Sequence, residues 1–255
     1  MIPAPDARLR AVIVIPARNE ERRIDRCLSA LATQRGIGSP EYEVILVLDG
    51  CTDRTAEIAR RHARSLTLHL VDGPRQGVGA ARGLGMEMAC ARLQRIGRSA
   101  GLIATSDADS WVAEDWLASQ LAAIAAGAEA IGGRIHLDPV EAATLAPETI
   151  AHREQRLQLR ALALSSPGVS EHPHFAGASI GITAAAYAQA GGLSSLVALE
   201  DEHLARRLER AAIAIHRLDS VRVHTSARLD GRAPLGLAHD LARAERTGSE
   251  PGGER

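Results

Sequence analysis

The chain predicts an α/β fold: a Rossmann-like central sheet, mostly parallel, flanked by helices. Two observations carry this reading. Apolar runs of strand length alternate with longer segments of helical period, the pattern of βαβ units. Those runs are apolar at successive positions, not at every second one, as strands covered on both faces must be. The 255 residues lie near the upper limit of one hydrophobic core, so residues 1–246 are expected to form a single domain.

Ala11 to Ile15 (AVIVI) reads as the first buried strand, ended by Pro16 before a helix through Ile24, Leu28 and Leu31. Tyr42 to Leu48 (YEVILVL) is the second, followed by a polar turn over Asp49 to Asp53 and a helix through Ala56 and Ile58. Leu66 to Val71 gives a third strand. A glycine-rich turn is then expected to open a helix over Met86 to Leu93, before a fourth strand, Gly101 to Thr105, that stops at Asp107. Trp116 to Ala126 reads as helix, Ala130 to Leu137 as extended, and Val140 to Leu164 as helix broken at Pro147. Phe175 to Thr183 is a small-residue stretch, Glu200 to Ala211 a charged helix and Ile213 to Val223 a strand pair. Thr247 to Arg255 has no periodic apolar face and is expected to be a disordered tail.

Composition removes several functions. With 30 basic and 31 acidic residues the net charge is -1, leaving no single-sign field for nucleic acid, so no nucleic-acid partner is expected. Every basic residue is arginine: without lysine there is no Walker loop, protein-kinase site or pyridoxal Schiff base. Aromatics at 2% exclude a single-strand stacking platform. The three cysteines form no CxxC pair, which fits a reducing compartment. No apolar run reaches the ~18 residues a bilayer requires, so there is no transmembrane segment; a cytoplasmic protein is expected, at most peripheral to a membrane.

Carboxylates recur where strands end, and in open parallel sheets ligands bind outside the carboxyl ends of the strands. Ser106-Asp107-Ala108-Asp109 places two carboxylates in one turn; such hard oxygen ligands suit Mg²⁺ or Mn²⁺ on phosphate oxygens, and capping of the next helix by Asp109 or Ser110 is the structural alternative. Glu200-Asp201-Glu202 opens a helix, where acidic residues complement the dipole and where a carboxylate in a cleft can also act as a general base. The run Gly77-Val78-Gly79-Ala80-Ala81-Arg82-Gly83-Leu84-Gly85 fits either phosphate contact, through Arg82 and backbone amides, or tight helix–strand packing.

Taken in order, Ile15-Pro16-Ala17-Arg18-Asn19-Glu20, Leu48-Asp49-Gly50-Cys51-Thr52-Asp53, Gly79-Ala80-Ala81-Arg82-Gly83, Ser106-Asp107-Ala108-Asp109 and Glu200-Asp201 resemble family 2 glycosyltransferases of the GT-A fold over residues 10 to 226. The resemblance implies nucleotide-sugar contact by Pro16, Asn19, Glu20, Asp49, Arg82 and Asp107, and metal binding by Asp107 and Asp109. It further implies Asp201 as base, with Gly177, Ser179 and Glu200 on the acceptor side. His224, after a strand, resembles the C-terminal metal-binding histidine of some GT-A enzymes; the remaining histidines receive no role. Two departures stand out: Leu48 replaces one acid of the usual Asp-Asp-Gly-Ser turn, and His203 stands where relatives carry a second acid.

The implied activity is hexosyltransferase-like: transfer of a sugar from a nucleoside diphosphate, a UDP-sugar first among candidates, to an unidentified acceptor hydroxyl, with inversion and with Mg²⁺ or Mn²⁺. A nucleotidyltransferase and an inactive GT-A-like binding module are the rivals. A haloacid-dehalogenase-type phosphohydrolase, which Asp107-x-Asp109 also evokes, normally needs a lysine.

Overall fold

The computed structural model describes residues 2–164, 169–193, 199–231 and 236–248. In chain order the elements are β1 (Ala11–Ala17), α1 (Ile24–Ala32), β2 (Tyr42–Leu48), α2 (Thr55–Arg61), β3 (Leu68–Asp72), α3 (Val78–Arg95), β4 (Leu102–Thr105), β5 (Ser110–Val112), α4 (Trp116–Ala125), β6 (Ala130–Leu137), α5 (Pro139–Ala142), α6 (Pro147–Leu162), β7 (Ile180–Thr183), α7 (Ala184–Gln189), α8 (Glu200–Arg210), β8 (Ile215–Thr225) and α9 (Leu237–Gly248).

They build one eight-stranded sheet in the order β3-β2-β1-β4-β7-β6-β8-β5. Its first four strands are parallel, β7 inserts antiparallel between β4 and β6, and β5 closes the edge antiparallel to β8. Every residue of β1 and β2 is buried because the pleat sends alternate side chains into two cores. Ile13, Ile15, Val44 and Leu46 pack on one face with α1 and α4 residues such as Leu28 and Trp116; Val12, Val14, Ile45 and Val47 pack on the other with Met86 and Leu93 of α3.

Three expectations change. The helix expected from Met86 begins at Val78, so most of the glycine run is helical instead of forming a loop. The cause is proximity: a Cβ on Gly85 would lie 2.4 Å from Val14 Cγ1 and 3.1 Å from Val47 Cγ2, so α3 sits on β1 and β2 more closely than a side chain allows. The strand pair expected over Ile213 to Val223 is a single strand, β8, whose register against β6 shifts between Gly133 and Arg134. The last helix runs through Thr247 to Gly248, and residues 249–255 of the expected tail lie outside the described residues.

Two features position the site. After β4 the chain turns through Ser106–Asp109 into β5, and Ser110 Oγ bonds Thr225 Oγ1 (2.8 Å), fixing this turn beside the end of β8. Helices α6 and α9 pack against each other over the carboxyl ends of the strands, joined by Glu245, whose carboxylate accepts from Ala146 N–H (3.0 Å) and Thr149 Oγ (2.5 Å) at the α6 N-terminus. No helix among the described residues is long and apolar enough to cross a membrane.

Candidate active site

A cleft of about 680 Å³ opens at the carboxyl ends of β1, β2 and β4 and runs beneath α6 and α9. Pro16, Glu20, Asp49, Arg82, Asp107, Asp109, Gly177, Glu200 and Asp201, all expected at the site, line it.

Two arginines organise the carboxylates. Arg82, buried on α3, spans the gap between the β4 turn and α8: it donates to Asp107 (2.7 Å), Glu200 (3.4 Å), Thr105 Oγ1 (2.7 Å) and the Gly177 carbonyl (2.9 Å). Burial opposes its charge, but Asp107 and Glu200 outweigh that effect and hold its guanidinium above the ordinary value. Gly177 is required here, because a Cβ would come within 2.5 Å of the Arg82 Nη2. Arg228, on the segment after β8, donates to both oxygens of Glu20 (2.8 and 3.1 Å) and reaches Asp109 (2.7 Å). Even so, burial first and the Asp107 charge second push the Asp109 carboxyl up to about 6. Pairing with Arg228 therefore offsets only part of the burial of this carboxylate.

Asp49 takes the β3–α3 connection as its partner: its carboxylate accepts from Arg75 N–H (2.5 Å) and Gly77 N–H (2.9 Å). Asp201 sits in the first turn of α8, where Oδ2 accepts from Gly177 N–H (3.3 Å) and Oδ1 from Glu202 N–H (2.9 Å). Leu199 enters that helix with φ +61, a left-handed turn that aims the acidic start of α8 at the cleft.

Three expected residues stand elsewhere. His224 is not among the residues lining the cleft; its ring stacks between Trp111 (5.1 Å) and His136 (5.2 Å), with Arg26 over Trp111, because it faces away from its neighbour Thr225 on an extended strand. Burial and the nearby Arg26 hold that imidazole below its usual value. Ser179 lies under the cleft floor and accepts from Trp116 Nε1 (3.3 Å). Asn19 lies outside the lining and braces the loops, its Oδ1 accepting from Thr52 N–H (2.8 Å). Glu200, expected on the acceptor side, is buried as a partner of Arg82, and Ser110 begins β5 instead of capping a helix.

Sequence reasoning missed Arg228, Arg75 and the α6 side of the cleft, which contributes Arg153, Arg156, Arg160 and His152. Arg228 had a signal: buried carboxylates at strand ends demand cations, and Arg228 is the first arginine after the last strand.

The architecture matches solved GT-A glycosyltransferases. Residues 1–349 of S. aureus TarS in complex with UDP-GlcNAc superimpose with a TM-score of 0.66 at 17% identity, covering 92% of this chain and 71% of that one. A mannosyltransferase, PcManGT from Pyrobaculum calidifontis, in complex with GDP-Man and Mn²⁺, gives 0.63 at 20% identity, covering 94% and 72%. The chain thus has a GT-A-type fold, with a carboxylate-lined cleft at the strand ends. Residues 12–179 match glycosyl transferase family 2, and the chain belongs to that family. The glycosyltransferase AglE of Haloferax volcanii is 32% identical over 127 residues, covering 48% of this chain and only 38% of that longer protein.

Proposed function

We propose that the chain transfers a sugar, with inversion, from a nucleoside-diphosphate sugar to an acceptor hydroxyl, assisted by a divalent cation. The observation that carries this is Arg82, which ties the Asp107 turn to the α8 N-terminus bearing Asp201. The neighbours bound to UDP-GlcNAc and GDP-Man support a donor of that class.

The residues fit a hard cation. Among the described residues no three His, Cys, Asp or Glu side chains form a metal cage; Asp107 and Asp109 are the hard oxygen donors that would hold an Mg²⁺ or Mn²⁺ together with donor phosphates, as these ions prefer. A cation there would favour the charged form of Asp109, which burial and the Asp107 charge disfavour. When bound, it would neutralise the diphosphate as that group departs.

The chain's own groups supply the rest. Pro16, Glu20 and Asp49 border the donor end. Asp201 takes the acceptor proton as the hydroxyl oxygen bonds the anomeric carbon; the bond to the phosphate oxygen breaks, and the nucleoside diphosphate leaves with the electron pair. The test is transfer rate beside calorimetric donor binding for Asp201→Asn. A fall of ~10²–10⁴ in rate with donor affinity retained is expected; more than about a tenth of wild-type rate removes Asp201 from the mechanism. A screen of UDP-, GDP- and dTDP-sugars with product analysis separates transfer from nucleotidyl transfer and from mere binding.

A further inference from the structure

Both carboxylates of the turn after β4 already hold a cation. Arg82 pairs with Asp107 (2.7 Å) and Arg228 with Asp109 (2.7 Å), so a divalent ion entering here competes with two guanidinium groups for carboxylate oxygens. The two arginines differ in how readily they can yield. Arg82 is buried along α3 with its side chain 3% exposed, and its nitrogens serve Asp107, Glu200, Thr105 Oγ1 and the Gly177 carbonyl at once. Displacing it would strip the buried Glu200 of its cation. Arg228 lines the cleft with its side chain 16% exposed, and its guanidinium is held by Glu20 and Asp109.

Arg228 can also let go of one partner and keep the other. Its Nη2 is shared between Glu20 Oε1 (2.8 Å) and Asp109 Oδ2 (2.7 Å), whereas Nη1 donates to Glu20 Oε2 (3.1 Å). Breaking the Asp109 contact alone leaves a two-pronged arginine–carboxylate pair, the arrangement that best fixes a guanidinium. The backbone beneath is pinned: Ser226 Oγ (2.6 Å) and Ala227 N–H (2.7 Å) donate to Glu141, and Arg228 N–H donates to Ser226 Oγ (3.2 Å). The side chain can therefore turn while the segment after β8 stays in place.

Charge decides when that turn occurs. A bare divalent ion on Asp109 would stand beside the Arg228 guanidinium, and like charges at contact distance repel strongly in a cleft partly screened from water. An ion already bound to a diphosphate brings anionic oxygens that the same guanidinium can take in exchange for Asp109 Oδ2. We propose that Arg228 couples metal entry to donor entry: it closes Asp109 to a bare divalent cation and releases it when the cation arrives with a nucleoside diphosphate. The inference rests on the transfer reading above. By linkage, the coupling acts equally on the affinity of either ligand.

The test is calorimetry in two arms, MnCl₂ titrated into the protein alone, and UDP or GDP titrated with and without Mn²⁺. Without nucleotide, Arg228→Gln should bind Mn²⁺ about 10–100-fold more tightly than wild type, because one charge-assisted contact no longer competes. The factor by which Mn²⁺ tightens nucleotide binding should shrink about tenfold or more in the same variant. A guanidinium that merely repels cations would leave that factor unchanged. Arg23→Gln is the control for charge alone: Arg23 also acts on Asp109 through space but bonds Glu141 (2.9 Å), so both readouts should stay within about threefold of wild type. Arg228→Lys keeps the charge and loses the fork; it should shift both readouts the same way by less, and it decides the matter if Arg228→Gln fails to fold by circular dichroism. Unchanged or weaker Mn²⁺ binding in the Arg228 variants, an equal gain in Arg23→Gln, or an unchanged coupling factor overturns the proposal. Wild type that binds UDP or GDP with a coupling factor insensitive to Arg228 fails this proposal alone. Wild type that binds neither nucleotide at any Mn²⁺ concentration fails the transfer reading, and the coupling with it.

Discussion

Asp109→Asn should stabilise the protein at neutral pH while abolishing its response to divalent metal. The Asp109 carboxyl is raised from its ordinary 3.8 to about 6, by burial and then by Asp107. Its folded-state value lies above the unfolded one, so the proton favours folding. That contribution is fully present below pH ~4 and is lost as pH rises through about 6. At about 1.4 kcal/mol per pH unit, the charged Asp109 weakens the fold by about 3 kcal/mol at pH 8. Asparagine removes the charge yet keeps an oxygen for Arg228, which retains Glu20 through two hydrogen bonds. The variant should therefore gain about 1–3 kcal/mol at pH 8, or roughly 2–10 °C in Tm for a domain of this size. Elsewhere the slope has the other sign: Asp53, Asp138 and Glu141 lie below their ordinary values despite burial, through hydrogen bonds that favour their charged forms, so they add stability as pH rises. The readout is accordingly the difference between the wild-type and Asp109→Asn melting curves from pH 4 to pH 8, repeated with Mn²⁺. It should open between pH 4 and 7 and shrink when Mn²⁺ stabilises the wild type alone. A variant less stable than wild type at pH 8, or stabilised equally by Mn²⁺, refutes the reasoning.

Arg82→Gln strands Asp107 and Glu200 in the cleft wall; loss of one partner from a buried pair costs about 3–5 kcal/mol, so thermal melting should fall by about 10 °C or more. Gly85→Ala forces a methyl onto Val14 and should destabilise by about 1–3 kcal/mol in denaturant titration, with no change if the α3–β1 spacing can relax. His224→Ala breaks the stack with Trp111 and His136, and should cost about 0.5–1.5 kcal/mol while the Mn²⁺ activation curve stays in place; a shifted curve would restore His224 to the metal.

The first half of the fold was legible because its strands are buried on both faces, and continuous apolar runs such as Tyr42 to Leu48 have no other use in a domain of this size. What failed was reading glycine as a turn signal. Gly79, Gly83 and Gly85 lie inside a helix, a choice that costs about 0.5–1 kcal/mol each, and for Gly85 the contact with Val14 across the layers explains it. That contact joins residues far apart in the chain, and no local pattern encodes it. The β5 edge strand was missed for a similar reason: three residues have no period to read, and their pairing with β8 is set by the turn before them.

In the site, legibility followed charge sign. Asp107, Asp109 and Asp201 could be placed because short carboxylates at a strand end or a helix start are positioned by the backbone that carries them. Arginines cannot be placed that way, since a long side chain reaches a partner remote in sequence: Arg228 lies 208 residues from Glu20 and Arg82 lies 118 from Glu200. In a chain whose 30 basic residues are all arginine, sequence gives no reason to prefer one over another. The selection is made in three dimensions, by whichever guanidinium the sheet and helices deliver to a carboxylate that would otherwise be buried alone. Arg153 shows the other outcome, delivered to the Ile135 carbonyl in place of a carboxylate.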